Sequence, residues 1–169
     1  LKDLVIAGRF TASDYHAKIY LNQGDAVFTE LPAGLVPARY SAISLYDYSG
    51  DGYLDILIAG GDNNDVLRTT LYKNINGTAF SIVPTTMTGV IQGSVAWGDV
   101  NNDGLSDVLL TGSDVPTGAT RVTKIYLNQG NDLFAPLNYT FEGLRRSMAQ
   151  WGDYNNDGKL DVLVTGYRN

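Results

Sequence analysis

The sequence predicts an all-β fold built from β-propeller blades, each of which is a four-stranded antiparallel sheet. Two observations predict it. One acidic loop followed by an apolar run occurs three times, and four short apolar or alternating runs recur with a period of 52 to 54 residues. Four short strands in about fifty residues are the unit of a propeller blade. Helical repeats are excluded, because the runs are too short and alternate with a period of two.

The repeat is clearest in a run of one aspartate, three aliphatic residues, Ala or Thr, and glycine. Its copies begin at Asp3, Asp55, Asp107 and Asp161, which are spaced by 52, 52 and 54 residues. Three further residues of the repeat keep the same register. They are a tyrosine (Tyr20, Tyr72 and Tyr126), an asparagine (Asn22, Asn74 and Asn128) and a phenylalanine (Phe28, Phe80 and Phe134). A β-sandwich also has many short strands, but these do not repeat in sets of four with the same residues.

In the best-preserved unit we expect strands at residues 94–98, 107–111, 122–127 and 133–137. The acidic loop joins the first strand to the second, and a turn beginning at Asn128 joins the third to the fourth. We therefore predict one repeat domain over residues 1–169, with blades at 1–38, 39–90, 91–144 and 145–169. The first blade has only the last three strands, and the last blade has only the first two.

About three blade periods do not close a ring, since propellers typically have four to eight blades. The sequence also begins in the middle of a repeat, as if it were excised from a longer chain. Unpaired sheet edges template pairing with another chain. We therefore expect the ends to be completed by other copies or by the rest of a longer polypeptide, either as a ring or as a filament.

The acidic loops, residues 47–55, 99–107 and 153–161, each place oxygen-bearing side chains at positions 1, 3, 5 and 9 and glycine at position 6. Calcium takes about six to eight oxygen ligands, and the glycine lets a backbone carbonyl at position 7 turn inward. Magnesium demands tighter geometry, and zinc and copper prefer the His and Cys that these loops lack. We predict up to three calcium sites. Their ligands are Asp47, Ser49, Asp51, Tyr53 and Asp55; Asp99, Asn101, Asp103, Leu105 and Asp107; and Asp153, Asn155, Asp157, Lys159 and Asp161.

The loops have two other possible interpretations. An EF-hand loop ends in a bidentate Glu at position 12, but that position holds Ile58, Leu110 or Val164, which cannot ligate a metal. Asp-Gly and Asn-Asp-Gly clusters also form ordinary hairpin turns without a metal. Three copies with three aspartates each, and no Lys or Arg within positions 1 to 6, favour calcium.

The composition argues against several classes of function. The net charge of −6 comes without a basic stripe, so nucleic acid is not an expected partner, and no apolar segment reaches the length of a membrane span. Cysteine is absent, which removes disulfides and thiolate chemistry. Calcium loops of modest design fill where calcium is millimolar, which favours an extracellular location. Two glycosylation sequons, at Asn76 and Asn138, agree with that location for a eukaryotic source.

Few residues remain that could catalyse a reaction. The one histidine, His16, is expected in a solvated turn, and no nucleophile or phosphate-binding motif is present. The repeated tyrosines are expected to pack between blades with their hydroxyls reaching water or backbone, and Trp97 and Trp151 to anchor sheet against sheet. We therefore predict that the chain is not an enzyme.

The acidic loop with its preceding Trp-Gly, the Leu-Leu-Thr-Gly run at 109–112 and the Ile-Tyr-Leu-Asn-Gln-Gly run at 125–130 together resemble FG-GAP/VCBS repeats. Such repeats form the blades of integrin α-subunit N-terminal propellers and of many secreted bacterial proteins. The resemblance covers essentially the whole chain and implies calcium binding by the aspartates of the loops. The first loop departs from the pattern, with Ser49 at position 3 and Leu45 where the others have tryptophan.

The resemblance and the loops together predict a calcium-stabilised, extracellular structural or adhesive module with a protein ligand or other copies as partners. The alternative is a carbohydrate-binding module, or the non-catalytic scaffold of a secreted polysaccharide-active enzyme, in which exposed tyrosines contact glycans. Sugar bound to exposed aromatic residues would favour the alternative. An extended polymeric assembly would favour the structural module.

Overall fold

The computed structural model describes residues 2–11 and 14–168, and in this part of the chain it contains thirteen β-strands and no helix. The strands form four antiparallel sheets, numbered 1 to 4 along the chain. Sheet 1 contains β1 (Leu4–Thr11), β2 (Asp14–Gly24) and β3 (Val27–Leu31), and sheet 2 contains β4 (Arg39–Tyr46), β5 (Asp55–Gly61), β6 (Leu67–Ile75) and β7 (Ala79–Val83). Sheet 3 contains β8 (Val95–Gly98), β9 (Asp107–Gly112), β10 (Val122–Asn128) and β11 (Phe134–Pro136), and sheet 4 contains β12 (Arg145–Gly152) and β13 (Asp161–Tyr167).

The predicted all-β fold with four-stranded antiparallel sheets is confirmed. Within each sheet, strands that follow one another in sequence pair with one another, and the four strands of sheet 3 lie within two residues of the bounds expected from the sequence. The four described sheets do not close a ring. The blade bounds at 1–38, 39–90, 91–144 and 145–169 stay a prediction, and Leu1 and Asn169 lie outside the described residues. No helix among the described residues is long and apolar enough to cross a membrane.

The second strand of each complete sheet is the centre of the core. Every residue of β5 and of β9 is buried, because each strand has a hydrogen-bonded neighbour on both edges and a neighbouring sheet on both faces. Such strands read as continuous aliphatic runs rather than as an alternation of apolar and polar residues. The corresponding strand of sheet 4, β13, has the same type of sequence but is largely exposed, since it lies at an edge.

Consecutive sheets pack against one another through apolar side chains. Three clusters fill the spaces: one around Ile19 and Ile56 between sheets 1 and 2, one around Leu57 and Val108 between sheets 2 and 3, and one around Leu109 between sheets 3 and 4. Contacts between sheets join β1 to β4, β4 and β5 to β8, and β8 and β9 to β12. The sheets are therefore stacked in sequence order.

The two tryptophans anchor sheet against sheet, as the sequence predicted. The Trp97 ring of sheet 3 stacks on Tyr48, which precedes β5 of sheet 2, with 5.6 Å between centroids and 4° between planes. Trp151 of sheet 4 lies over Gly98, where a β-carbon would come within 2.6 Å of the indole ring. Glycine at that position therefore permits the close approach of sheets 3 and 4.

The repeated tyrosines connect neighbouring sheets through their hydroxyl groups. The buried Tyr72 hydroxyl accepts a hydrogen bond from the N–H of Val36, and that of Tyr126 accepts one from Thr88, each at 2.8 Å. The predicted contact of these hydroxyls with backbone is thus confirmed for both residues. The expected turn position of His16 is wrong: His16 lies within β2, where its Nε2 is 2.8 Å from Asp14 and its ring contacts Phe10 edge-on. His16 pairs with Gly8 of β1, and the strand continues through it.

Leu109 provides a test of the packing between sheets 3 and 4. It is fully buried, so Leu109→Ala removes buried apolar surface and leaves a cavity, and we expect the free energy of unfolding to fall by about 2–5 kcal/mol. Leu133 is 63% exposed, and Leu133→Ala should change that free energy by less than about 0.5 kcal/mol. Urea denaturation of both variants measures the difference. Equal effects would contradict the described core.

Candidate metal centres

The three acidic loops occupy the same place in three sheets, between the first strand and the second. Loop 1 (residues 47–55) joins β4 to β5, loop 2 (99–107) joins β8 to β9, and loop 3 (153–161) joins β12 to β13. The ninth residue of each loop is also the first residue of the following strand, as Asp55, Asp107 and Asp161. The loops therefore have a fixed relation to the core of their sheets.

Two residues in each loop have left-handed backbone conformations. Position 6 is glycine in every loop, with φ between 81° and 88° at Gly52, Gly104 and Gly158. Position 4 is also left-handed, and is occupied by Gly50, Asn102 or Asn156. Glycine and asparagine adopt this conformation at less cost than other residues. The sequence predicts the role of the glycine at position 6; the role of position 4 was missed, although the restriction of that position to Gly and Asn was a visible signal.

These backbone conformations turn the loop around the aspartate at position 1. An Oδ atom of Asp47, Asp99 or Asp153 accepts a hydrogen bond from the N–H of the position-6 glycine at 2.8 Å in all three loops. The same side chains also accept from the N–H of position 5, at 3.0 to 3.1 Å. The first carboxylate of each loop is thus surrounded by backbone donors.

The aspartate at position 5 interacts with the residue that follows the glycine. The N–H groups of Tyr53, Leu105 and Lys159, at position 7, donate to Asp51, Asp103 and Asp157 at 2.8 to 2.9 Å. In loops 2 and 3 the amide Nδ2 of position 3 also donates to this carboxylate, from Asn101 to Asp103 at 2.8 Å and from Asn155 to Asp157 at 3.1 Å. The hydrogen bonds from the Lys159 N–H and from the Asn155 side chain lower the pKa of Asp157.

Position 3 of loop 1 differs, because serine has no amide to donate. The Ser49 hydroxyl oxygen is buried and has no hydrogen-bond partner among the described residues. A buried polar atom without a partner costs about 1–3 kcal/mol, so such atoms in proteins call for an explanation. A cation coordinated by the Ser49 oxygen would account for the lack of a hydrogen-bond partner.

The aspartate at position 9 joins the loop to the third strand of its sheet. Asp107 is fully buried and accepts hydrogen bonds from the N–H of Val100, in the loop, at 2.9 Å and of Asn128, in β10, at 2.8 Å. Asp55 is buried in the same way and accepts from Asn74, in β6, at 2.8 Å and from Ser49 at 3.4 Å. Asp161 of loop 3 is only partly buried and accepts from Tyr154 at 2.9 Å.

The asparagines on the third strands complete this connection. Asn74 and Asn128 donate through Nδ2 to the carbonyl oxygens of Leu54 and Ser106, at the eighth loop position, at 3.0 and 3.2 Å. In the sequence these asparagines were recognised only as landmarks of the repeat, and their contact with the loop was missed. Their similar distance from the position-9 aspartate, 19 residues in sheet 2 and 21 in sheet 3, was the signal that could have paired them.

The electrostatics of the loops are dominated by negative charge. Burial raises the pKa of Asp55 and of Asp107, and the backbone N–H groups beside each carboxylate partly oppose that rise. The neighbouring loop aspartates raise both pKa values further. None of the ion pairs within residues 2–11 and 14–168 uses one of the nine loop aspartates. Positive charge from another source would therefore be favourable here.

The structure brings the predicted residues of each loop into one hydrogen-bonded turn. It does not bring three carboxylates together, since no group of three His, Cys, Asp or Glu side chains that could hold a metal ion occurs in the part of the chain described. The carboxylates instead face the backbone donors of their own loops. The predicted sequons at Asn76 and Asn138 both lie at exposed positions, Asn76 in the turn between β6 and β7 and Asn138 after β11.

A family model described as the FG-GAP-like repeat matches three overlapping segments of the chain, residues 1–58, 47–110 and 99–164. Each matched segment contains one whole acidic loop near its end, and the second and third segments begin at Asp47 and Asp99, the first residues of loops 1 and 2. Searches of curated proteins and of solved structures found no match.

Asp107 is buried and Asp161 is partly buried, and both occupy position 9 of a loop. The effects of their substitution on the free energy of unfolding can therefore be compared directly. Asp107→Ala leaves the N–H groups of Val100 and Asn128 without their acceptor in a buried place, and we expect unfolding to become easier by about 2–4 kcal/mol in EDTA. Asp161→Ala removes one recorded acceptor interaction at a partly buried place and should cost about 1 kcal/mol or less. Denaturant titrations in EDTA measure this contribution without bound metal. The reverse order would contradict the assigned role of the buried carboxylate.

Proposed function

The chain belongs to the FG-GAP-like repeat family, and we propose that its β-propeller-like repeat module is stabilised by calcium bound in the three acidic loops. The observation that carries the proposal is the concentration of three aspartates in each loop, none of which forms an ion pair with a cationic side chain of the described residues. Bound calcium would supply the positive charge that offsets these carboxylates. The partnerless Ser49 oxygen supports the proposal independently.

The residues present fit an oxygen-ligated cation. A carboxylate has about four acceptor positions, and the backbone N–H groups occupy only part of this capacity at each loop aspartate. Cation binding would draw together the three carboxylates of a loop, which face their own backbone donors in the structure, and the asparagine or serine at position 3 would add a neutral oxygen. The proposed ligands are the side chains at positions 1, 3, 5 and 9 and the carbonyl oxygen at position 7: Asp47, Ser49, Asp51, Tyr53 and Asp55; Asp99, Asn101, Asp103, Leu105 and Asp107; and Asp153, Asn155, Asp157, Lys159 and Asp161.

We further propose that this module acts outside the cell as a structural or adhesive element. FG-GAP repeats are typical of extracellular and surface proteins, and this is a structural rather than a catalytic kind of module. Millimolar calcium would fill loops of modest affinity in that compartment. The exposed positions of Asn76 and Asn138 make both sequons accessible to glycosylation there.

The unequal sheets support completion by other copies or by a longer chain. Sheets 2 and 3 have four strands each, whereas sheet 1 has three described strands and sheet 4 has two. β1 and β13 lie at sheet edges with unpaired backbone groups along one side. A ring or a head-to-tail filament would pair these edges.

A carbohydrate-binding module, or the scaffold of a polysaccharide-active enzyme, is the second candidate. One observation favours it: Tyr139 is 67% exposed and its ring lies 4.6 Å from that of Phe141, which forms an aromatic surface of the kind that sugars contact. Glycan-array binding that is lost in Tyr139→Ala would support this candidate. Binding to no glycan, or binding unchanged in Tyr139→Ala, would remove its support.

Calcium is expected to raise the melting temperature and EDTA to lower it. A ligand that binds only the folded chain adds about 2.7 kcal/mol per site at a hundredfold excess over Kd, so three sites could add several kcal/mol. Thermal unfolding followed by circular dichroism in calcium, magnesium and EDTA measures the effect. Asp25→Asn removes an exposed carboxylate outside the loops and serves as the control. A melting temperature that is the same in calcium and EDTA would contradict the proposal.

The three loops should differ in affinity, with loop 1 the weakest. Asp103→Ala or Asp157→Ala removes a charged ligand, whereas Ser49→Ala removes a neutral and weaker one, so the aspartate variants should lose more calcium affinity. Loop 1 should also be the last to fill at limiting calcium. Isothermal titration calorimetry of the unmodified chain and the three variants measures their calcium affinities. Three sites of equal affinity, or the largest loss of affinity in Ser49→Ala, would contradict the prediction.

A further inference from the structure

An apolar cavity of about 500 Å³ lies between sheets 1 and 2, next to loop 1. Its lining includes Val5 and Leu31 of sheet 1 and Leu45, Ile56 and Phe80 of sheet 2. The cavity is open to solvent on one side, and its apolar walls lack packing partners there, so it is a place where a large side chain could bind.

The corresponding place between sheets 2 and 3 is filled by Tyr48, the second residue of loop 1. Its side chain is 8% exposed, its ring stacks on Trp97, and its hydroxyl donates to Asp132 at 2.8 Å. The ring also lies 5.9 Å from that of Phe134. By the period of the repeat, Trp97 and Phe134 correspond to Leu45 and Phe80, both of which line the cavity. The repeat therefore identifies the cavity as a site for the second residue of a loop.

Loop 3 also has a tyrosine at its second position, but no neighbouring sheet among the described residues buries its side chain. Tyr154 follows Asp153 as Tyr48 follows Asp47, but its side chain is 90% exposed. On the adjacent strand β13, Leu163 is 65% exposed, whereas the corresponding Leu57 and Leu109 are fully buried. The hairpin formed by β12, loop 3 and β13 thus exposes the apolar side chains that the same hairpin buries in sheets 2 and 3.

The strands β1 and β13 are equivalent in the repeat. β1 begins one residue after Asp3, and β13 begins at Asp161. In both strands the aspartate is followed by three aliphatic residues. In sheets 1, 2 and 3 the first aliphatic residue pairs with the repeated tyrosine, as Leu4 with Tyr20, Ile56 with Tyr72 and Val108 with Tyr126. The same register would pair Val162 of β13 with Tyr20. β13 could therefore replace β1 beside β2 with its side chains on the correct faces.

We propose that a second copy of this chain binds here: its β12–β13 hairpin takes the place of β1, and its Tyr154 enters the cavity between sheets 1 and 2. The inference rests on the proposed completion of the sheets by other copies and names the contact that achieves it. Replacing β1 by β13 exchanges one strand ladder for an equivalent one, which is the low-cost route of domain swapping. Leu163 would take the place that Val5 has in the displaced β1, so the burial that is gained is that of Tyr154 in the cavity.

A second connection between the copies would form in the same arrangement. The N–H groups of Val36 and Thr88 donate to the tyrosine hydroxyls of the following sheet, Tyr72 and Tyr126. The next donor in the repeat is Glu142 of the copy that supplies the hairpin, and the tyrosine that β2 of the receiving copy would present to it is Tyr20. One placement of the hairpin would thus fill the cavity, keep the strand register and form this hydrogen bond. The contact is head-to-tail, because the two copies use different surfaces.

Self-association of the 169-residue chain in calcium, measured by sedimentation velocity, tests the proposal. The unmodified chain should associate, and Tyr154→Ser should raise the dissociation constant by roughly 30-fold, as expected for a buried aromatic anchor. Tyr154→Phe keeps the ring and should associate nearly as well as the unmodified chain. Tyr40→Ser is the matched control, since Tyr40 is 57% exposed and does not line the cavity.

Mixing two variants tests the head-to-tail geometry. Leu45→Glu places a charge in the cavity and keeps Tyr154, whereas Tyr154→Ser keeps the cavity. Each variant alone should remain near 18.3 kDa, and the mixture should form a one-to-one complex that grows no further. The 43% exposure of Leu45 makes the charged substitution compatible with folding, which circular dichroism verifies.

Three results would overturn the inference: an unmodified chain that stays monomeric at about 100 μM, association unchanged in Tyr154→Ser, or a mixture that remains monomeric. A monomer that still melts at a higher temperature in calcium than in EDTA would overturn this inference and leave the calcium proposal intact. Association that depends on Tyr154 while the melting temperature is the same in calcium and EDTA would support the inference and contradict the calcium proposal.

Discussion

One buried carboxylate holds each complete sheet and its loop together. Asp55 in sheet 2 and Asp107 in sheet 3 are removed from water, and each accepts backbone hydrogen bonds from its own loop and from the third strand. A buried charge without such partners would be strongly unfavourable, so loop and strand must keep their places for the aspartate to remain buried. The position of the loop, the end of the third strand and the start of the second strand all depend on this interaction.

Most of the fold could be predicted because its determinants are local and repeated. The aliphatic runs that become β5 and β9 are short and end in glycine, and their recurrence at a fixed period identified the sheets. The packing between sheets could not be predicted in the same detail. The stacking of Trp97 on Tyr48 joins residues 49 positions apart in different sheets, and His16 lies in a strand because of its pairing with β1, which no local pattern records.

Part of the candidate site could likewise be predicted from the sequence, and part could not. The oxygen-bearing positions of each loop follow from residue type and spacing, so the hydrogen-bonded turn around Asp47, Asp99 or Asp153 was foreseeable. The role of Asn74 and Asn128 was not, because it depends on the approach of the third strand to the end of the loop. The burial of the Ser49 oxygen also depends on tertiary structure, since a serine in an acidic turn is exposed in an isolated peptide.

Stacking in sequence order has a consequence for cooperativity. Because contacts between sheets join consecutive sheets, the stability of the array is close to a sum of terms for single sheets and for nearest-neighbour interfaces, as in a one-dimensional Ising chain. The two-stranded sheet 4 contributes the smallest intrinsic term and has one described interface, whereas sheets 2 and 3 have two each. Amide exchange should therefore be graded, fastest in β13 and slowest in β5 and β9, with fraying from the end of the array preceding global unfolding.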